Sequence, residues 1–230
     1  MAGLLISFSG IDGAGKSTQI GLLLNHLQRA GKKPIYIWSR GGYTPLFETV
    51  KTLLRRFFGR LMPPSGKNPQ RTKVLTKPWM SRLWLFLALV DMIWLYGLKI
   101  RWLRWRGEVL VNDRYLDDTM IDFRLNFPQM NIKNWWLWKG LSLMSPKPDI
   151  AFLLLIPVEE SIRRSDLKGE PFKDSPDVLA QRLWYYQSLA QTGNWRSLDG
   201  LRPVPELFKE IEALVNQRIV FKSGMHLKEI

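Results

Sequence analysis

The apolar positions of this chain form two kinds of run that alternate along it. The first kind is short and continuous. Leu4, Leu5, Ile6 and Phe8 lead to Gly10, Ile35 to Trp38 is β-branched and aromatic, and Glu108 to Asn112, Ile150 to Ile156 and Trp195 to Leu198 follow. Such runs predict strands, and those that are apolar throughout predict parallel strands buried on both faces. The sequence IAFLLLI at 150–156 predicts a central one. The second kind has helical spacing. It includes Ile20, Leu22, Leu23, Leu24 and Leu27, then about 46–58, 83–100, a helix opened by Glu159 and Glu160, 177–190 and 205–216. The punctuation agrees. Ala30-Gly31-Lys32-Lys33-Pro34 is a helix stop, Pro157 ends a strand, and Glu159-Glu160 suit a helix N-terminus. The pattern assigns no element between Tyr115 and Pro146.

Strand and helix in alternation predict an α/β fold. Its form is a doubly wound parallel sheet of about five strands with helices on both faces. The expected organisation is one domain over 1–221, a basic Pro-rich insertion at 59–78 and a polar, frayed tail over 222–230. The insertion carries Pro63, Pro64, Pro69, Pro78, Lys67, Arg71, Lys73 and Lys77. The segment 83–100 is long enough to be a membrane-span candidate. Asp91 lies in its middle, Gly97 follows, and the chain must return to the sheet at Val109, so it predicts a buried core helix.

Composition narrows the chemistry. With 46 % hydrophobic residues, global disorder is excluded, and without cysteine so are disulfides, thiolate metal sites and a thiol nucleophile. The N-terminal apolar residues are used as a strand and lack a basic n-region, so no signal peptide is predicted and the expected location is cytoplasmic. A net charge of +14 is compatible with phosphorylated ligands, nucleic acid or anionic membrane. Eight of the 11 tryptophans cluster at 79–105 and 135–138. The stretch Lys99 to Arg106 is basic and aromatic, which suits either a cationic helix C-terminus or contact with anionic lipid at the inner membrane face. His26 and His226 read as ordinary surface residues.

The strongest chemical signal lies between the first strand and the first helix. Gly10, Gly15, Lys16 and Ser17 fit G-x-x-x-x-G-K-[ST]. Gly10, Gly13, Ala14, Gly15, Lys16, Ser17 and Thr18 therefore predict a loop whose backbone amides cradle the phosphates of a nucleoside triphosphate. Lys16 is expected to reach the terminal phosphates, and the Ser17 hydroxyl to ligate Mg²⁺. The third strand runs into Asp113-Arg114-Tyr115 at what should be the ligand edge of the sheet.

FSGIDGAGKSTQ at the loop and VNDRYLDD after the third strand resemble the thymidylate kinase family. PDIAFLLLIPVEESIRR is similar to the family's later strand and helix, and RGGYTPLFE at 40–48 to its acceptor-side glycine loop. The resemblance implies ATP and Mg²⁺ as cofactors and phosphoryl transfer to a nucleoside monophosphate, with dTMP as the default acceptor. It also implies a catalytic set of Lys16, Asp12, Asp113, Arg114 and Arg164. Asp12, Arg40, Asp91, Arg114 and Tyr115 would bind the acceptor, and Arg163, Arg164 and Lys168 would form a cationic lid. Ser17 and Asp113 would hold Mg²⁺, and a homodimer follows by analogy. Two departures lie on the acceptor side. The family's Asp-Arg pair is matched by Asp91-Met92, and its Arg-Glu-Pro run by Ser39-Arg40-Gly41. Methionine cannot donate a hydrogen bond to a base. Two other readings stand beside this one: a kinase of a sugar or lipid-linked glycan at the membrane surface, and a nucleotide-dependent nucleic-acid binder. No nucleic-acid module supports the latter.

Overall fold

Six consecutive buried residues make β1 (Leu4–Ser9) the middle strand of a parallel sheet. It pairs with β3 (Val109–Asp113) on one side and β4 (Ile150–Leu155) on the other. β2 (Ile35–Trp38) flanks β3 and β5 (Arg196–Asp199) flanks β4, giving the order β2-β3-β1-β4-β5. The computed structural model describes residues 3–39, 78–169 and 173–225. In chain order its helices begin with α1 (Lys16–Arg29) and α2 (Pro78–Met92). A π-helical stretch (Ile93–Ile100) and α3 (Arg101–Trp105) continue α2. Then come α4 (Leu116–Asn126), α5 (Trp136–Met144), α6 (Val158–Leu167), α7 (Pro176–Ala190) and α8 (Val204–Met225). The five-stranded parallel sheet expected from the apolar runs is present. Of the insertion expected at 59–78 only Pro78, which opens α2, is among the described residues; the rest of it, the helix expected over 46–58 and Arg40 lie outside them.

The chain divides into two compact units. The first, Met1–Trp38 with Trp102–Ile121 and Lys147–Ile230, holds the sheet. Within it α1 packs along α8, where His26 lies 2.8 Å from the Glu212 carboxylate and 3.1 Å from Asn216 Oδ1. On α7, Ser175 caps the N-terminus and Pro176 occupies a first-turn position where a missing N–H removes no helical bond. The second unit is Ser39–Arg101 with Asp122–Pro146. Its core joins α2 and the π-helical stretch to α5 through Trp84, Leu85, Leu89, Met92, Tyr96, Leu137 and Leu141. Phe123 meets Trp138 edge-on with centroids 6.5 Å apart.

Three sequence expectations change. The segment read as a buried core helix starts earlier, since Pro78 opens α2, and only one face of it is buried. Trp79, Leu83, Phe86, Val90, Trp94 and Leu98 are exposed. The continuous helix Pro78–Trp105 is long and apolar enough to cross a membrane, yet 56 % of its most apolar window is buried within the protein. Helices α4 and α5 occupy the interval that showed no pattern. Every residue from Asp118 to Phe123 is buried, so polar and apolar positions in α4 carry no stripe to detect. Finally, α8 extends to Met225 rather than ending at Asn216, because Lys222 has specific partners.

Those partners centre on Asp149, whose side chain is 5 % exposed. It accepts the Leu5 backbone N–H at 2.9 Å and pairs with Arg104 and Lys222, each at 2.9 Å. Lys222 also donates to the Gly3 carbonyl at 2.8 Å. Removing a buried carboxylate leaves its cations and an amide without their acceptor. Asp149→Ala should therefore lower stability by roughly 3 kcal/mol. Urea unfolding followed by tryptophan fluorescence measures this. A loss below about 0.5 kcal/mol would mark the cluster as an ordinary surface ion pair.

Candidate active site

Between β1 and α1 the chain turns through Gly10, Gly13 and Gly15, all at positive φ (144°, 77° and 93°), which glycine adopts without a Cβ penalty. At Gly13 a side chain is also excluded by space, since a Cβ would lie 3.2 Å from both the Ser161 carbonyl oxygen and Arg164 Cβ. The first turn of α1 has no side-chain cap and no acidic residue. Its amides and the positive end of its dipole therefore suit an anion. Lys16 is buried and donates to the carbonyls of Gly10 at 2.9 Å and Ile11 at 2.8 Å. Burial, followed by the nearby Arg114 charge, lowers its ammonium from 10.5 to about 8, while Asp12, Asp113 and Asp118 oppose the shift.

The facing wall comes from the end of β3. Arg114 follows Asp113 at φ 72°, the one non-glycine residue at positive φ among those described, and donates its backbone N–H to Phe8 at 2.8 Å. Its guanidinium donates to Asp12 Oδ1 at 2.5 Å and to the Tyr186 hydroxyl at 3.3 Å. Asp113 accepts from the Tyr36 hydroxyl at 3.3 Å, and its other oxygen is buried without a hydrogen-bond partner. Burial, then the Asp113 charge, pushes the Tyr36 phenol up to about 12. Loop and wall enclose a cavity of about 150 Å³ lined by Asp12, Gly13, Gly15, Lys16, Ser17, Thr18, Trp38, Asp113, Arg114 and Lys168.

On α6, Arg164 spans the back of the loop. It donates to Glu160 at 2.6 Å and to the carbonyls of Gly13 and Gly200, each at 3.1 Å. Gly200 stands where a Cβ would lie 2.9 Å from the Ala14 carbonyl and 2.7 Å from Ile156. Arg163 pairs with the same Glu160 at 2.7 Å. Hydrogen bonds from Arg163 and then Arg164 hold that carboxyl down to about 2. Ser161 adds a bond to the Asp12 carbonyl at 2.6 Å.

The structure thus brings together Asp12, Gly13, Gly15, Lys16, Ser17, Thr18, Asp113, Arg114 and Lys168 around one cavity, with Gly10, Ala14 and Arg164 supporting the loop. Arg163 is exposed and outside the lining. Tyr115 is buried, its backbone N–H bonded to Asp118. Asp91 is buried in the second unit, as is Ser39, which shares a 2.7 Å hydrogen bond with Tyr96. Sequence reasoning passed over Trp38, Ser161, Gly200, Asp118 and Tyr186. Trp38 was findable as the last residue of a strand at the ligand edge.

The residues suit a polyphosphate and a divalent cation. The uncapped helix start and Lys16 supply donors, and Asp113 offers an oxygen with no other bond beside Ser17. Among the described residues no group of three His, Asp or Glu forms a metal cage. Mg²⁺ needs none, because it is held by one or two protein oxygens together with substrate phosphates.

A family model for Thymidylate kinase matches residues 8–211. The thymidylate kinase of Thermosipho melanesiensis is 29 % identical over 224 residues, covering 93 % of this chain and 98 % of that protein. That of Bartonella henselae is 27 % identical, covering 94 % and 97 %. That of Fervidobacterium nodosum is 25 % identical, covering 93 % and 98 %.

The lowered Lys16 ammonium makes a direct test. With its midpoint at about 8, half of the empty sites hold a neutral amine at pH 8. A bound polyphosphate favours the charged form, so binding must draw a proton from solvent. Calorimetry of ADP binding in buffers of different ionisation heat should show uptake of roughly 0.5 proton at pH 8. Equal heats in all buffers at pH 8 would refute the assignment.

Proposed function

The chain belongs to the thymidylate kinase family, and from that premise we propose that it transfers the γ-phosphoryl group of ATP to the phosphate of dTMP, yielding dTDP and ADP. The protein is an ATP-dependent kinase of the P-loop fold acting on small nucleotide substrates. The observation that carries the reading is the cavity that sets Lys16 and the loop against Asp113 and Arg114. Phosphoryl transfer needs positioning and positive charge more than covalent chemistry. An oxygen of the acceptor phosphate attacks the γ-phosphorus in line, and the bond from that phosphorus to the β–γ bridging oxygen breaks to leave ADP.

In this reading the loop amides, Lys16 and Thr18 hold the phosphates of ATP. Arg114 takes the acceptor and transferring phosphates with a planar fork that stays charged. Asp12 faces the acceptor and keeps Arg114 paired before substrate arrives. Ser17 and Asp113 would hold Mg²⁺, which when bound neutralises charge on the β- and γ-phosphates. Arg164 fixes the loop through the Gly13 carbonyl, and Lys168 brings a cation to the cavity. Arg163, Tyr115, Asp91 and Arg40 keep the lid and acceptor roles that the family resemblance implies. The proposed location is the cytoplasm. The glycan and nucleic-acid readings are not favoured by the family match.

The exposed apolar row of Trp79, Leu83, Phe86, Val90, Trp94 and Leu98 repeats every three or four residues, so it lies along one side of its helix. The family resemblance implies a homodimer, and on that ground we propose that a second copy of the chain covers this row. Light scattering should give a dimer that Phe86→Glu converts to monomer. A wild-type monomer that sediments with anionic liposomes would instead assign the row to a membrane surface.

The acceptor is tested by ADP release from Mg-ATP with dTMP, dUMP, UMP, CMP, AMP, GMP and several sugars. The largest stimulation is expected with dTMP, and none with any nucleotide would return the acceptor to a glycan or lipid. Lys16→Ala should abolish turnover. Arg114→Ala should cut transfer by ~10³-fold while ADP binding holds within a few-fold. Unchanged transfer would remove Arg114 from the machinery.

A further inference from the structure

Asp118 is 1 % exposed, sits in the first turn of α4 and lies outside the cavity lining, yet it is bonded on every side. Its Oδ2 accepts from Ser9 Oγ at 2.5 Å and from the Tyr115 backbone N–H at 2.9 Å. Its Oδ1 accepts from the Tyr186 hydroxyl at 2.5 Å and lies 3.7 Å from Arg114. Tyr186 in turn accepts from Arg114 at 3.3 Å, so its single proton is committed to Asp118 and its lone pair to the guanidinium. Burial and the Asp118 charge raise this phenol well above its ordinary range, which keeps that proton in place.

Arg114 therefore has two unlike edges. One nitrogen faces the buried Tyr186–Asp118 pair, and the other bonds Asp12, whose side chain is 28 % exposed and lines the cavity. We propose that Asp118, acting through Tyr186, is the positioning residue that fixes Arg114, so that its cavity edge exchanges Asp12 for the phosphate of the acceptor. In naming the acceptor phosphate, this rests on the kinase reading above. The physical need is plain: a long arginine side chain holds one orientation only if something other than the ligand pins it. Asp12 cannot do so, because it is the partner displaced. Asp118 can, because it stays enclosed and keeps the buried cation compensated when Asp12 departs. A carboxylate is also required chemically. Three donors converge on its two oxygens, and an amide there would turn its NH₂ towards one set of them.

The test uses the full chain with Asp118→Asn and Tyr186→Phe. The second keeps the ring and its packing, so it decides the matter if the first does not fold. Guanidinium ¹⁵N spectra, with Arg114 assigned by Arg114→Lys, report restraint independently of catalysis. Wild type should show resolved Arg114 Nη signals that merge in both variants. With Mg-ATP and dTMP, kcat/KM for the acceptor should fall ~10²-fold, while the Kd for ADP measured without acceptor stays within about two-fold. Resolved Nη signals and wild-type acceptor kinetics in both variants would overturn the proposal, as would equal losses in acceptor kcat/KM and ADP affinity. If wild type does not turn over dTMP, the dTMP reading fails and the spectra alone decide the role of Asp118.

Discussion

A single backbone hydrogen bond, from Arg114 N–H to the Phe8 carbonyl at 2.8 Å, joins β1 to the chain just beyond β3 and fixes the geometry of the site. It follows the last paired residues of the two strands, Phe8 and Asp113. Arg114 makes this bond at φ 72°, a conformation that costs a non-glycine residue about 1 kcal/mol. Strain of this kind persists only where neighbours fix the residue. Here the guanidinium is held by Asp12 and Tyr186 and the following turn by Asp118. The return is geometric: successive residues send Asp113 towards Tyr36 on β2 and Arg114 towards Asp12 in the phosphate loop.

Charge and backbone together set what this site attracts. Lys16, Arg114 and Lys168 line the cavity together with Asp12 and Asp113, three cations against two carboxylates. The positive surplus favours a polyphosphate, and the uncapped start of α1 and the loop amides add to it. Lys16 meanwhile rests on the Gly10 and Ile11 carbonyls. Those neutral acceptors satisfy its donors without neutralising it, so its charge remains available. A carboxylate in their place would compete with the ligand for the ammonium.

What the sequence made legible follows from this division. The strands and the loop are local features, set by continuous apolar runs and by glycines at positions where only glycine fits. The Asp118–Tyr186–Arg114 linkage joins residues 68 and 72 positions apart along the chain, so no local pattern announces it. Helix α4 escaped for a related reason: it buries Asp118, Thr119 and Asp122 beside Met120 and Phe123, and periodicity fails where polar groups are core. The end of α8 escaped because Lys222 reads as a solvated terminus until Asp149 is placed beside it. The exposed side of α2 escaped because an all-apolar helix looks buried all round.

The same division explains why the family signature is strong on one side of the reaction and altered on the other. The donor side is backbone geometry. Gly13 lies 3.2 Å, by its missing Cβ, from α6, and Gly200 stands against Ala14, so a substitution at either deforms the loop itself. Acceptor recognition in the family rests on side chains, and side chains can change without moving the backbone that carries them. Met92 shows how. By the resemblance it stands where the family carries an arginine, and it is fully buried within the second unit on the packed face of its helix. A residue that reads a base must keep a donor exposed to ligand, whereas a residue that packs a core need only fill volume. Exchanging the first role for the second leaves the fold standing while the acceptor-side motif changes.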